Sequence, residues 1–134
     1  MIPKPLQGCD RQPPATDVDL SAAERALGLS LPPDYAALMR EANGLEGFVA
    51  REAYLILWPL SDLPALNEAY CVSEYLAGVT LVGTDGGDTG YGFRRRDGQF
   101  EYVSTPLVGM EPAALESVGG SLVELAERLR GGEP

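Results

Sequence analysis

The sequence LPPDYAALMREANG at residues 31–44 carries the strongest structural signal in this chain. Pro33 suits the first turn of a helix, where its missing N–H costs nothing, and Asp34 complements the positive end of the helix dipole. Asn43 and Gly44 are typical of a helix end. The apolar positions between these limits recur at i, i+3, i+4 and i+7, and they are Tyr35, Leu38, Met39 and Ala42. The segment therefore predicts a helix with one buried face.

A second signal is the glycine-rich sequence LVGTDGGDTGY at residues 81–91. It predicts a strand over Val79–Gly83 that runs into a loop from Asp85 to Gly90. The loop lacks the Gly-Lys-Ser/Thr ending of a phosphate-binding P-loop and the spaced ligands of an EF-hand. The main interpretation is a turn between two strands, with the side chain of Asp88 or Thr89 bonded to the local backbone. A partner-binding loop and an adventitious cation site remain as alternatives.

A β-hairpin is predicted next, with the turn Asp97-Gly98 between residues 91–96 and 99–104. Asp-Gly favours a two-residue type I′ turn, because both central residues of that turn have positive φ. The turn also sets the register of the two strands. That register opposes Phe93 to Tyr102 as an aromatic pair, and Arg94 to Glu101 as an exposed ion pair on the other face.

The remaining patterns predict a single α+β domain in which helices pack against an antiparallel sheet. A helix begins at Asp17, or at a capping box formed by Ser21 and Glu24, and ends before Gly28. The other expected elements are a turn through Gly47, a strand over Ala53–Trp58, a short helix over Ser61–Tyr70 and a helix over Leu122–Arg130. Residues 1–15 are expected to form an N-terminal arm, residues 16–130 the domain and residues 131–134 a C-terminal tail.

The charge of the chain is strongly acidic, with 20 acidic and 10 basic residues and a net charge of −10. No Lys or Arg occurs from Glu52 to Phe93 or from Asp97 to Glu127. Such a surface repels nucleic acid, whose phosphates require basic side chains, and it attracts a basic protein. An acidic surface that only maintains solubility is the alternative explanation. The run Arg94–Arg96 resembles a nucleic-acid patch, but its side chains alternate between the faces of a strand, which favours a solvated strand.

The chain has no histidine and two cysteines, Cys9 and Cys71. The lack of histidine excludes Ser-His-Asp and Cys-His catalysis, and the cysteines form no CxxC motif for zinc. Neither a metal nor another cofactor is expected. The longest apolar run, Leu55–Leu60, is too short to cross a bilayer, and the N-terminus lacks a signal-peptide pattern. A cytoplasmic protein without membrane contact is therefore expected.

The succession of motifs over residues 16–130 resembles the SUKH superfamily, bacterial immunity-protein-like domains related to a fungal regulator of cell-wall synthesis. The residues that carry these structural motifs are Leu31, Pro32, Asp34, Tyr35, Asn43, Gly44, Gly83, Asp85, Gly86 and Gly87. The resemblance implies a binding module with an antiparallel sheet and flanking helices, and it transfers no catalytic residues. Many members are thought to neutralise toxins by direct binding, often nucleases or deaminases.

The resulting hypothesis is a non-enzymatic immunity protein whose acidic surface neutralises a basic toxin domain. A regulatory or scaffolding module, as in the fungal relatives, is the alternative. Hydrolysis by carboxylates among Glu52, Glu68 and Glu74 is not favoured, because nothing in their spacing sets a catalytic separation. A monomer or a weak homodimer is expected. The candidate partner-binding residues are Trp58, Glu68, Tyr70, Glu74, Tyr75, Asp85, Asp88 and Tyr91.

Overall fold

The sheet is an antiparallel meander in which each strand pairs with the next one along the chain. The computed structural model describes residues 2–131, and within them it has seven strands and five α-helices. The strands are β1 (Asp10–Arg11), β2 (Leu45–Ala50), β3 (Ala53–Leu57), β4 (Val79–Thr84), β5 (Thr89–Arg96), β6 (Gln99–Pro106) and β7 (Glu116–Gly119). The helices are α1 (Asp17–Leu27), α2 (Pro33–Glu41), α3 (Leu63–Ala69), α4 (Val72–Tyr75) and α5 (Leu122–Arg130). The predicted α+β class with an antiparallel sheet is confirmed.

The helix α2 begins at Pro33, as the sequence predicts, and its first turn also holds other elements in place. The carboxylate of Asp34 accepts a hydrogen bond from the hydroxyl of Tyr102 at 2.8 Å and from the backbone N–H of Leu122 at 2.7 Å. Tyr102 lies on β6 and Leu122 is the first residue of α5. One side chain of the 31–44 segment therefore ties α2 to the sheet and to the last helix.

The Asn43-Gly44 pair that follows α2 also fixes the end of β3. Oδ1 of Asn43 accepts a hydrogen bond from the backbone N–H of Leu60 at 2.8 Å. Gly44 has φ +107°, and a Cβ atom there would lie 3.0 Å from the carbonyl oxygen of Leu57. Glycine is required here because no other residue combines this φ with so close an approach of two backbones.

Apolar side chains pack on both faces of the sheet. The inner face is the one that packs against α1, α2 and α5, and Tyr35, Phe93 and Tyr102 lie in its core. The segment expected as an N-terminal arm reaches the same core through Ile2 and Leu6, both of which are buried. The smaller core of the outer face consists of Val72, Leu76, Val79, Leu81, Val103 and Met110. Of the expected C-terminal tail, residues 132–134 lie outside the described residues.

The pairing of β3 with β4 is short, and a side chain of α3 continues it. The two strands pair at Ile56–Thr84 and Leu57–Gly83. Farther along β4, the side-chain amide of Asn67 donates to the carbonyl oxygen of Leu81 at 2.9 Å and accepts from its N–H at 2.8 Å. Asn67 thus satisfies backbone groups that a neighbouring strand would otherwise pair, and it anchors α3 against β4.

The predicted hairpin is confirmed in its turn and in its register. Asp97 and Gly98 both have positive φ, 52° and 78°. Phe93 lies opposite Tyr102, and Arg94 lies opposite Glu101 with 2.7 Å between Nη2 and Oε1. This ion pair is partly buried rather than exposed, because it lies within the sheet. The rings that pack against Phe93 are those of Tyr35 and Phe100, at centroid distances of 6.1 and 6.0 Å.

The predicted element order omits three strands, of which β1 lies in the expected N-terminal arm, and one helix, α4. Residues 45–50, expected to include a turn at Gly47, form β2, and residues 116–119 form β7. Both strands lie near an edge of the sheet and carry glycine and exposed glutamate, so their β-propensity is low. The helix expected over Ser61–Tyr70 is present as α3, which a 3₁₀ turn at Leu60–Asp62 precedes, and the short helix α4 follows after Cys71, beyond the predicted range.

Candidate partner-binding surface

The outer face of the sheet has a covered half and an open half. The covered half is the outer side of β4–β6, where α4 and residues 107–115 bury Leu81 and Val103 completely. The open half is the outer side of β2–β3, and it presents Glu46, Phe48, Tyr54 and Ile56. Phe48 is 65% exposed, which is the largest exposure of any aromatic residue within residues 2–131. The open half is therefore the accessible part of the sheet.

The centre of the open half is an aromatic pair. Phe48 on β2 lies directly opposite Tyr54 on β3, and their rings make an edge-to-face contact with centroids 4.8 Å apart. The hydroxyl of Tyr54 donates a hydrogen bond of 2.6 Å to Oε2 of Glu46. This bond to a carboxylate is the main reason why the pKa of Tyr54 is raised to about 12. Hydrogen bonding and ring contact together hold the Tyr54 side chain in one position.

The glycine-rich loop between β4 and β5 borders this pair. A Cβ atom on Gly86 would lie 3.3 Å from the Tyr54 ring, so the loop backbone packs directly against Tyr54. Oδ1 of Asp85 accepts from the N–H groups of Gly87 at 2.8 Å and Thr89 at 3.2 Å. The loop is therefore the turn that was predicted, but the side chains that bond its backbone are those of Thr84 and Asp85 and not those of Asp88 or Thr89.

Asp88 lies at the exposed tip of the same loop and connects it to the covered half. Its carbonyl oxygen accepts a hydrogen bond of 2.7 Å from the N–H of Leu107. Leu107 belongs to the segment that covers β4–β6. The carboxylate of Asp88 is left to face solvent, whereas that of Asp85 is half-buried.

Trp58 and Tyr70 form a stacked pair between the two halves. Their ring planes differ by 10° and their centroids are 6.4 Å apart. Trp58 continues the outward row of Tyr54 and Ile56 on β3, since alternate residues of a strand share a face. Both rings are half-buried and pack against the core of the covered half.

Tyr91, another candidate from the sequence, is not part of the accessible surface. It is 7% exposed and lies in the core of the inner face. Burial, and then the nearby charge of Asp85, raise its pKa to about 12. A partner that docks on the folded protein cannot use this ring as an anchor.

Glu68, Glu74 and Tyr75 form a separate exposed group on α3 and α4. Tyr75 is 54% exposed, and both carboxylates face solvent. Glu68 borders a groove of about 370 Å³ between α3, the start of β4 and the end of α1. The structure thus places the Asp85 loop beside the open half, Trp58 and Tyr70 against the core of the covered half, and Asp88 next to the segment that covers it. Glu68, Glu74 and Tyr75 form the exposed acidic ridge of α3 and α4.

Sequence reasoning missed Phe48, Tyr54 and Glu46. The reason is that residues 45–50 were predicted to turn at Gly47, which hides the outward position of Phe48. The signal that identifies the strand is an alternation in which Leu45 and Val49 are buried while Glu46 and Phe48 are exposed. A glycine at position 47 weakens that signal, because glycine more often marks a turn than a strand interior.

Within residues 2–131, no three His, Cys, Asp or Glu side chains are grouped so that they could hold a metal ion. None of the helices in that range is both long and apolar enough to span a bilayer. What the surface does provide is exposed aromatic rings beside carboxylates.

Comparison with known families identifies the fold. The family model described as SMI1/KNR4 family (SUKH-1) matches residues 14–128. The chain belongs to this family. The match to SUKH-1 spans α1 to α5 and includes both halves of the outer face. A search of curated proteins gives no significant match. SUKH-1 membership supports a protein-interaction module, of an immunity type or of the SMI1/KNR4 type, and the family is generally non-catalytic.

Proposed function

We propose that this protein is an immunity protein that neutralises a cognate bacterial toxin by direct binding through its acidic surface. The observation that carries the proposal is the absence of Lys and Arg from Glu52 to Phe93, a segment in which Glu68, Glu74 and Asp88 are exposed. Membership of the SUKH-1 family supports an interaction module of this kind.

The chemistry of the partner follows from the charge. A net charge of −10 attracts a basic protein over a long range and repels nucleic acid and anionic lipid. Nucleases and deaminases that act on nucleic acid need basic residues along the path of the phosphates. An acidic protein is complementary to such a path and blocks it when bound.

The proposed role needs no cofactor and no catalytic step. Binding by a monomer, or by a weak homodimer, is sufficient to occlude a toxin site. The proposed compartment is the cytoplasm, where thiols stay reduced, and Cys9 and Cys71 are both free.

Co-expression with a toxin domain from a neighbouring gene tests the proposal. The wild-type chain is expected to restore growth of cells that express the toxin domain, and to bind the purified domain directly. Restored growth without direct binding, or no restoration by the wild-type chain, contradicts the proposal.

The rate of association tests the role of charge. Stopped-flow measurement at increasing salt is expected to show a rate constant that falls about tenfold or more, because salt screens long-range attraction. The double variant Glu68→Lys and Glu74→Lys is expected to slow association more than Glu111→Lys with Glu127→Lys. The second pair changes the net charge equally, at exposed sites in the other acidic segment. An association rate constant that does not depend on ionic strength would contradict long-range electrostatic attraction.

A regulatory or scaffolding role is the second candidate, because the SMI1/KNR4 description of the matching family applies equally to it. The neighbouring gene separates the two roles. A large multidomain toxin gene beside this one favours immunity. A partner recovered from a cellular pathway, with no toxin gene adjacent, favours regulation.

A further inference from the structure

The open half of the outer face contains an exposed aromatic surface that nothing within residues 2–131 covers. Phe48 is 65% exposed although the covered half of the same face is sealed by α4 and residues 107–115. Removing a large aromatic ring from water is favourable. A ring that a strand holds toward solvent is therefore suited to anchor an interface.

The aromatic surface is held rigidly before any partner binds. Tyr54 is fixed by its 2.6 Å hydrogen bond to Glu46 and by the loop backbone at Gly86, and its ring supports the edge of Phe48. Phe48 and Tyr54 are also paired across β2 and β3. A prearranged ring loses little conformational entropy on binding, which favours affinity.

Two carboxylates flank the rings. Glu46 and Asp10 lie opposite each other in the pairing of β1 with β2, and the charges of both contribute to the raised pKa of Tyr54. Glu46 bonds the Tyr54 hydroxyl through Oε2. Its Oε1 makes no hydrogen bond or ion pair to another described side chain, so it can accept a bond from a partner.

Exposed rings beside carboxylates match one side chain in particular. A guanidinium group is planar, stacks on aromatic faces and donates several hydrogen bonds to carboxylate oxygens, whereas an ammonium group is a compact and strongly hydrated charge. The chain itself contains such a contact, since the guanidinium carbon of Arg95 lies 5.2 Å from the ring centre of Phe100.

We propose that the open half, through Glu46, Phe48 and Tyr54, is the docking site for an arginine side chain of a basic protein partner. This inference rests on the proposed function, because it names the face and the anchor through which the acidic protein holds its partner. The acidic ridge of α3 and α4 then serves long-range attraction, and the open half provides the short-range contact.

The test is an NMR titration of the ¹⁵N-labelled protein with the peptide (Arg-Gly)₄ and with (Lys-Gly)₄, at about 0.15 M salt. The two peptides carry the same charge, so a difference between them reports guanidinium recognition. The arginine peptide is expected to shift the amide signals of Glu46, Phe48 and Tyr54 most. Its affinity is expected to exceed that of the lysine peptide.

Variants on the exposed surface provide the control. Phe48→Ser is expected to weaken the arginine peptide about threefold to fivefold, because it removes the aromatic contact. Val108→Ser is expected to leave affinity unchanged, since Val108 is equally apolar and 82% exposed but lies outside the open half. A cooperative unfolding transition in urea confirms that both variants fold.

Several results would overturn the inference. They are no binding of the arginine peptide, equal binding of the two peptides, strongest shifts at Glu68, Glu74 or Asp88, and equal affinity of the Phe48→Ser and wild-type proteins. The inference is also overturned if the amide signals of the open half shift with protein concentration and not with peptide. That result would assign the face to a second copy of this chain.

The toxin assay separates this inference from the proposed function. If wild type and Phe48→Ser protect cells and bind the toxin domain equally well, the docking site is wrong while immunity stands. If the wild-type chain gives no protection, immunity fails, and the peptide titration still decides whether the open half recognises arginine.

Discussion

The two halves of the outer face share one sheet but differ in how they meet solvent. On the covered half, Leu81 and Val103 are completely buried under α4 and residues 107–115. On the open half, Phe48 is exposed, and Tyr54 and Ile56 are half-buried. The covered half is a core that excludes solvent, whereas the open half leaves an aromatic ring exposed and is expected to contribute less to stability.

Two glycines allow close packing on the covered half. Gly90 on β5 allows Leu107 to approach closely, because a Cβ atom there would lie 2.7 Å from its Cδ2. A Cβ atom on Gly92 would collide with the carbonyl oxygen of Thr80. Close packing on one half and exposed rings on the other lead to opposite expectations for mutations.

The largest difference is expected between Leu81→Ala and Phe48→Ser. Leu81→Ala leaves a cavity in the covered half and is expected to lower the free energy of unfolding by about 2–5 kcal/mol. Phe48→Ser is expected to lower it by less than about 1 kcal/mol, because the ring is already mostly in water. Urea unfolding of both variants measures the two values. Similar losses would show that the open half is part of the folding core.

A second contrast lies between two glycines. Gly92→Ala is expected to cost about 1–3 kcal/mol of unfolding free energy, because the new methyl group must displace the backbone at Thr80. Gly87→Ala is the control, since a Cβ atom there would lie 3.5 Å from Asp85 Oδ1, an ordinary contact. Thermal unfolding measures both. An equally stable Gly92→Ala variant would disprove the close approach of the β4 backbone to Gly92.

The ion pair on the hairpin gives a smaller, pH-dependent effect. The hydrogen bond from Arg94 is the first cause of the lowered pKa of Glu101. A lowered carboxyl pKa stabilises the folded protein above the ordinary carboxyl pKa, and this stabilisation is lost as the pH falls through the lowered value. Glu101→Gln is therefore expected to reduce stability by less than about 1 kcal/mol near neutral pH and to have no effect in strong acid. Urea unfolding across this pH range, with Glu111→Gln as the reference, detects it.

The smallest effect concerns the pKa of one side chain on the open half, Tyr54. Tyr54 and Tyr91 both have a pKa raised to about 12, but the causes differ. Glu46→Gln removes the carboxylate beside Tyr54 and is expected to lower its pKa toward 10, while the pKa of the buried Tyr91 stays unchanged. NMR of ¹³C-labelled tyrosine follows both rings. A Tyr54 pKa that does not respond would mean that Glu46 does not hold this ring.

Local signals were sufficient to predict α2, the Asp97-Gly98 hairpin and α5. In each case the residues that determine the structure are neighbours along the chain, as with Pro33 at the start of α2 or the Ser121 hydroxyl that accepts from the N–H of Glu124. The acidic segment was equally visible, because charge needs no fold to be counted. These features also sufficed for the family resemblance that the match over residues 14–128 confirms.

The exposure of the Phe48–Tyr54 pair could not be predicted from neighbouring residues in the chain. Whether Phe48 points to a core or to solvent depends on the pairing of β2 with β3, and on how far α4 and residues 107–115 extend over the outer face. Tyr91 is the opposite case. The sequence suggested a surface residue next to a glycine-rich loop, whereas the ring is buried in the core.

The amino-acid sequence by itself determined the limits of α2 and α5, the hairpin register and the sign of the net charge, because each depends on residues close together in the chain or on composition alone. Only the tertiary structure decided that Asp34 joins α2 to Tyr102 and Leu122, and that none of residues 2–131 covers Phe48 on the outer side of β2–β3. Those outcomes depend on contacts between residues up to 88 positions apart. Burial is a property of the packed sheet and not of any local segment.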